Sequence, residues 1–200
     1  MGTQDDIVRL AIHYIQTNGV NGFSYADIAR EMNLKKPSIH YYFPTKADLV
    51  RTALKRYSVD FFKALHQGTQ NAQNLRENLD VYVQFYRKNL AQDYKLCLCS
   101  MLALESVEPS SGTQNQVSAK STATTAEFQE KNIAWIIERF KEAGCAPNIA
   151  RREAELLFAT VQGAQIMARS ARNLGFFDDV TTQHLETLIQ RIENPRDNEP

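Results

Sequence analysis

The sequence predicts an all-α fold, and three observations predict it. Apolar residues recur at steps of three and four along nearly the whole chain. Strand-like alternation of Val, Ile and Thr is missing, and the two Asn-Gly pairs, Asn18-Gly19 and Asn21-Gly22, do not join two such runs as a hairpin turn would. Helix caps and stops punctuate the apolar stripes at helix-length intervals. With 200 residues, 43% of them hydrophobic, the chain can bury a core without disulfide or metal staples and is too apolar to stay disordered.

The first helix is expected from about Asp5 to Asn18. Ile7, Leu10, Ala11, Tyr14 and Ile15 form one stripe, the acidic pair Asp5 and Asp6 suits the positive end, and Gly19 is a left-handed stop. Ser24 caps the second helix, with Asp27 three residues on and Phe23 placed to staple Ile28. That helix ends near Met32–Asn33, where Asn33 tolerates the left-handed conformation of a tight turn. Pro37 opens the third helix, a residue suited to the first helical position, and Pro44 closes it. Thr45, with Asp48 three residues later, caps a fourth helix running to about His66, with Gly68 as its stop. Leu75, Leu79, Tyr82, Tyr86 and Leu90 mark a fifth helix over about 75–93. Further helices are expected over about 98–107, 117–143, 149–173 and 181–192. Glu108–Gly112, Gly144 and Gly175 break them, and residues 195–200 form a disordered tail. The Ser/Thr-rich start of the seventh has poor helix propensity.

Charge and cysteine usage narrow the function classes. The net charge is zero, yet residues 1–57 carry eight Lys/Arg against five Asp/Glu, and the remainder carries the balancing excess of acid. An anionic partner at the front of the chain fits that asymmetry. Three cysteines, Cys97, Cys99 and Cys145, lack a disulfide framework and point to a reducing, cytoplasmic setting. No apolar run is long enough to span a bilayer, and the acidic N-terminus is unlike a secretory signal. No nucleophile elbow, P-loop, zinc-binding His pair or dinucleotide fingerprint is present. No catalytic residue, metal site or cofactor is therefore expected.

Two short helices joined by a turn of about four residues, after a longer one, form a helix-turn-helix pattern. Lys35 and Lys36 stand at the start of the third helix, where the macrodipole is already positive, at a cost of roughly 0.3–1 kcal/mol per charge. A phosphate there reverses the sign. His40, Tyr41 and Tyr42 add polar-tipped aromatic groups able to donate to phosphate oxygens. The competing reading of the same residues is a solvated lysine pair above core aromatics.

Residues 7–57 resemble the DNA-binding domain of the TetR family of transcriptional regulators. The likeness rests on Phe23-Ser24-Tyr25-Ala26-Asp27-Ile28-Ala29, the turn at Asn33, Leu34, His40-Tyr41-Tyr42-Phe43, and Lys46-Ala47-Asp48-Leu49. Asn33 and Pro37 stand where the family usually has Gly, and both preserve the geometry; His40 stands where it usually has Tyr and leaves the base preference open. The resemblance implies a helix-turn-helix DNA-binding domain over 1–57 and a helical ligand-binding and dimerisation domain over 58–194. It implies phosphate contacts from Ser24, Tyr25, Tyr41, Tyr42 and Lys46, and base contacts from Lys36, Pro37, Ser38 and His40. Lys36 could donate to guanine, and Pro37 could meet a thymine methyl.

The same resemblance implies an effector cavity lined by Tyr82, Phe85, Tyr86, Met101, Glu105, Trp135 and Phe158, although aromatic residues at helical spacing also serve as plain core. Glu105 follows Met101-Leu102-Ala103-Leu104 and needs a partner if buried. The stretch Leu96-Cys97-Leu98-Cys99 is similar to one found in some family members, electrophile sensors included. The two thiols, about 200° apart on a helix, read either as a sensor or as small buried hydrophobes. Gly163 inside the eighth helix costs about 1 kcal/mol relative to Ala, which close approach of another helix explains. The eighth and ninth helices are expected to build a homodimer on a palindromic double-stranded DNA operator. The expected function is a repressor released by an unidentified small molecule. The alternatives are a thiol-based sensor through Cys97 or Cys99, and a helical carrier without DNA affinity.

Overall fold

The structure is a computed structural model; it describes the backbone of residues 2–105 and 114–193, and the side chains of 2–105 and 124–192. Among these residues every regular element is a helix. The order is α1 (Thr3–Asn18), α2 (Tyr25–Glu31), α3 (Lys36–Tyr42), α4 (Lys46–Thr69), α5 (Leu75–Ala91), α6 (Leu98–Glu105), α7 (Gln114–Glu142), α8 (Pro147–Ala171) and α9 (Leu174–Glu193). Packing divides the chain into two compact units, Met1–Phe62 with Cys97–Phe128, and Lys63–Leu96 with Gln129–Pro200. The all-α class is as the sequence predicts. The expected break at 108–112 and the tail at 195–200 lie outside the described residues.

In the first unit, α1 turns its 3–4 stripe inward and buries Ile7, Ala11 and Ile15. Its C-terminal Gly19 has φ +80 and returns its N–H to Ile15. At α2 both halves of the capping box form, Ser24 with Asp27. Asn33 has φ +53, the left-handed turn expected of it, so α3 can start anew with Pro37 in its first turn. Ile28, Ile39, Leu49 and Leu54 are fully buried and fasten α2, α3 and α4 to the core. Thr45 caps α4 by accepting the Asp48 N–H at 3.2 Å. Beyond it, Tyr57, Phe61, Phe62 and Phe128 form an aromatic cluster with centroids 5.2–6.4 Å apart.

In the second unit, α5, α8 and α9 pack on one another. Tyr82 and Tyr86 are fully buried, and both hydroxyls donate to Asn132 Oδ1, at 3.1 and 2.9 Å. Phe140, Leu157, Val161, Phe177 and Leu188 are also buried. Arg87 clamps Asp178 with two hydrogen bonds, at 2.6 and 2.8 Å.

Five boundaries differ from expectation. Gly68 does not stop α4, which continues to Thr69. A Cβ at Gly68 would stand 3.0 Å from Val81 Cγ1, so this glycine permits close packing against α5 rather than a turn. Gly175 does not stop α8 either: Arg172 ends it in the left-handed conformation at φ +48. Gly175 instead lies in the first turn of α9, which starts at Leu174. Phe177 and Asp178 hold that turn through packing and the Arg87 clamp, and this outweighs the glycine's propensity cost. Thr181 has the look of a cap, but its hydroxyl donates back to the Phe177 carbonyl at 2.7 Å. Finally, α7 starts at Gln114 despite its Ser/Thr content, and α8 at Pro147, a natural first-turn residue.

Candidate nucleic-acid interface

The reading element is built from α2, the turn at Asn33 and α3. Fully buried Ile39 anchors α3, which leaves its other face to solvent. Lys35, Lys36, Pro37, His40 and Tyr41 are exposed, and Ser38 and Tyr42 are half-buried. Tyr41 is 83% exposed, an extreme value for a large aromatic side chain; it meets Tyr42 edge to face at 5.2 Å. The first turn of α3 holds no acidic residue, and no side chain caps its start. The two exposed lysines at that start are thus placed to meet an anion.

Three expected phosphate contacts are already engaged within the protein. Tyr25 is buried, and its hydroxyl donates to the Phe43 carbonyl at 2.9 Å. Burial, then the nearby Asp48 carboxylate, pushes its ionisation up to about 12. Its phenol is a strut between the ends of α2 and α3 rather than an open donor. His40 rests against its ring at 4.7 Å. Ser24 is exposed, but its hydroxyl donates to Asp27 Oδ2 at 2.7 Å while its N–H reaches the same oxygen at 2.9 Å. The Asp27 carboxyl is held below its ordinary range by those Ser24 bonds and by Arg30. The Lys46 ammonium donates to the Phe23 carbonyl and lies 4.3 Å from the Phe23 ring centroid. Burial lowers its pKa, partly opposed by the charges of Glu105 and Asp27.

Glu105 has a partner that sequence reading did not find. One carboxylate oxygen accepts the Val20 N–H at 2.7 Å, and the other faces the Asn21 N–H at 3.5 Å. The carboxylate assigned to an effector thus caps the turn between α1 and α2, beside the reading element. No local signal could have shown this, because the partners are 85 and 84 residues away. Met101, also read as effector-lining, is buried in the same unit, with its methyl group towards Gly19.

In the second unit the aromatic residues do assemble. Trp135 stacks on Tyr82 at 5.5 Å with an interplanar angle of 15°, and Tyr86 meets Tyr82 at 5.3 Å. The Arg139 guanidinium lies 5.4 Å from the Trp135 ring centroid. Phe158 is half-buried on α8, and Phe85 lies against Gly68. Tyr82 and Tyr86 thus combine core packing with a buried polar node at Asn132.

The cysteines are not in disulfides. Cys97 and Cys99 are buried. Burial pushes the Cys97 thiol up, but the polar influence of the Cys99 thiol, the Tyr57 hydroxyl and the Ser100 and Cys99 amides outweighs it and brings it down to about 7. Burial and proximity to Cys97 push Cys99 well above the usual thiol range. Among the described residues no three His, Cys, Asp or Glu side chains gather as a metal ion requires. No helix among them is long and apolar enough to cross a membrane.

A left-handed turn, a short buried-anchor helix and a solvent-facing row of lysine, proline, histidine and tyrosine define a helix-turn-helix DNA-binding domain. Residues 7–53 match the family described as bacterial regulatory proteins, tetR family. A relative from Mycobacterium tuberculosis, described as an uncharacterised HTH-type transcriptional regulator, is 25% identical over 96% of each chain. The fold matches a TetR transcriptional regulator of Legionella pneumophila at TM-score 0.78 and 25% identity, covering 94% of this chain and 97% of that one. It also matches a TetR-family regulator of Agrobacterium tumefaciens at TM-score 0.78 and 27% identity, covering 92% and 96%. The chain is thus similar to TetR-family transcriptional regulators, in residues 7–53 by the family's sequence pattern and over nearly its whole length by fold.

Proposed function

We propose that this regulator is a cytoplasmic, homodimeric repressor that leaves a palindromic operator when a small molecule binds. In this reading residues 1–57 grip DNA and residues 58–194 hold the effector and the partner subunit. The single observation that carries the DNA part is the outward row Lys36, Pro37, His40 and Tyr41 on a helix fastened by Ile39. Two copies related by a two-fold axis present that row to successive major grooves. The dimer part is supported by α8, which exposes Ile149, Leu156 and Met167. The effector part is supported by Tyr82, Tyr86 and Trp135 around a polar node. An effector acts only through unequal affinity for the gripping and released poses.

The test is selection of duplexes from a random pool by the full chain, followed by footprinting on the winner with and without candidate effectors. A symmetric footprint that an effector abolishes is the expected result. Strictly monomeric protein with no duplex preference at low salt overturns the reading in favour of a helical carrier.

The thiol cluster favours a second reading, in which an electrophile alkylates Cys97 and releases DNA. The Cys99 thiol, the Tyr57 hydroxyl and the Ser100 and Cys99 amides all favour the Cys97 thiolate. Release by an electrophile that persists in the C97S/C99S double variant overturns it.

A further inference from the structure

We infer that Glu105 is a positioning residue for DNA binding, a clip from the C-terminal end of α6 that holds the turn leading into the reading element. This rests on the DNA-binding reading above. It separates Glu105 from the effector site in which its sequence neighbours place it.

The turn begins where α1 ends. Gly19 closes α1 through its bond to Ile15 at 3.0 Å, and the Gly22 N–H returns to the Gly19 carbonyl at 3.3 Å. The amides of Val20 and Asn21 point out of this turn, and no backbone carbonyl takes them. The Glu105 carboxylate does, at 2.7 and 3.5 Å. A carboxylate accepting main-chain N–H groups forms a charge-assisted bond, roughly twice as strong as a neutral one. The fit extends to the chain's own shape. A Cβ at position 19 would stand 2.1 Å from Glu105 Oε1, so the carboxylate fills space that only a glycine leaves open. Gly19 therefore serves two needs, its φ of +80 and the seat of Glu105.

The consequences run directly to the reading element. Val20, buried in the turn, is followed after two residues by Phe23. The Phe23 ring stacks on Tyr14 at 5.4 Å, and its carbonyl receives Lys46 at the start of α4. Ser24, next in line, caps α2. Glu105 also contributes the larger of two carboxylate fields that favour the charged form of Lys46, Asp27 the other. One side chain of α6 thus sets the entry to α2 and supplies counter-charge near the start of α4. Moving Glu105 frees the turn without disturbing Ile28, Ile39 or Leu49, which hold the helices themselves.

The experiment measures affinity for the duplex selected by wild type and for a random duplex, at a temperature where circular dichroism shows each variant folded. Glu105→Ala removes the acceptor, and Glu105→Asp keeps the charge but withdraws it by one methylene. Both should lower the selected-to-random affinity ratio about tenfold, corresponding to about 1.4 kcal/mol, while random-duplex binding and its salt slope stay unchanged. Glu105→Gln still accepts from Val20 and should keep the ratio within about threefold. A role in stability alone shifts the melting temperature and leaves the ratio untouched. If Glu105→Ala does not fold, the contrast between Asp and Gln decides. Ala and Asp variants with the wild-type ratio overturn the inference, and so does a Gln variant as impaired as Asp. A wild-type protein that selects no duplex overturns the DNA-binding reading itself, a distinguishable failure.

Discussion

The Tyr25 hydroxyl donates to the Phe43 carbonyl at 2.9 Å, joining the start of α2 to the end of α3 across 18 residues. Tyr25→Phe removes that donor and strands a buried carbonyl. The expected loss of unfolding free energy is about 1–2 kcal/mol, read from urea denaturation. Duplex affinity below the melting range should change less than about twofold, because the hydroxyl is spent inside the protein. A tenfold drop in a folded Tyr25→Phe protein would return Tyr25 to the phosphate contacts.

The same residue sets an alkaline limit. Burial raises Tyr25 from an ordinary 10.0 to about 12, so the native state favours the neutral phenol. Its stabilising contribution is complete below the unfolded-state pKa and is lost as pH rises from about 10 through about 12. Stability of wild type should fall more steeply over that interval than stability of Tyr25→Phe, as denaturation midpoints at stepped pH will show.

Lys46→Ala should weaken binding to selected and random duplexes alike and flatten the log–log salt slope by about one unit. The ammonium must first leave the Phe23 carbonyl and ring, so its contact with DNA exchanges one partner for another. The loss in affinity should accordingly be smaller than for Lys36→Ala, whose ammonium is exposed on α3. An unchanged slope in Lys46→Ala removes it from the phosphate contacts and leaves it as a fastening of Phe23.

Tyr57→Phe removes a hydroxyl that favours the Cys97 thiolate and leaves the Cys99 thiol and two amides in place. The thiolate loses that support, so its midpoint should rise above about 7. Ultraviolet titration of the thiolate in a C99S/C145S background measures it directly. A midpoint that stays put shows that Tyr57 does not act on this sulfur.

Much of the first unit was legible because its signals are local. Ser24 with Asp27, Asn33, Pro37 and Gly19 each impose a backbone conformation through chemistry within three or four residues, and each appears where expected. The outward row on α3 follows from Ile39 facing in. What escaped is non-local. Gly68 and Gly175 read as stops but are helical, because packing against Val81 and the Arg87–Asp178 clamp decide their surroundings. Tyr25 reads as a surface phenol until Phe43 is seen to receive it. Glu105 reads as an effector ligand until the turn at Val20, far away in sequence, takes its charge.

The Arg87–Asp178 clamp joins α5 to α9 with two parallel hydrogen bonds. Both side chains remain about a third exposed, at 35% and 37%, so solvent screens the pair. A double-mutant cycle with Arg87→Ala and Asp178→Ala should give a coupling of about 0.5–1 kcal/mol. Each single variant should also fray the first turn of α9, visible as faster amide exchange at Phe176 and Phe177. Protection unchanged at those amides would show that Phe177 packing alone holds the turn.

Gly163 offers a test of the proposed dimer. It is exposed on α8, and a Cβ there would meet nothing within 4 Å. Ile149, Leu156 and Met167 flank it at helical spacing and are also exposed, so they form one apolar face. In a lone subunit Gly163→Ala should stabilise α8 by about 0.5–1 kcal/mol. Against a partner helix a larger side chain at the same point forces the backbones apart. Gly163→Leu and Met167→Glu should therefore raise the dimer dissociation constant by at least about tenfold in sedimentation equilibrium, corresponding to about 1.4 kcal/mol. Binding to a palindromic duplex should weaken with it, while binding to a single half-site remains. Both variants dimerising as tightly as wild type would move the interface off this face.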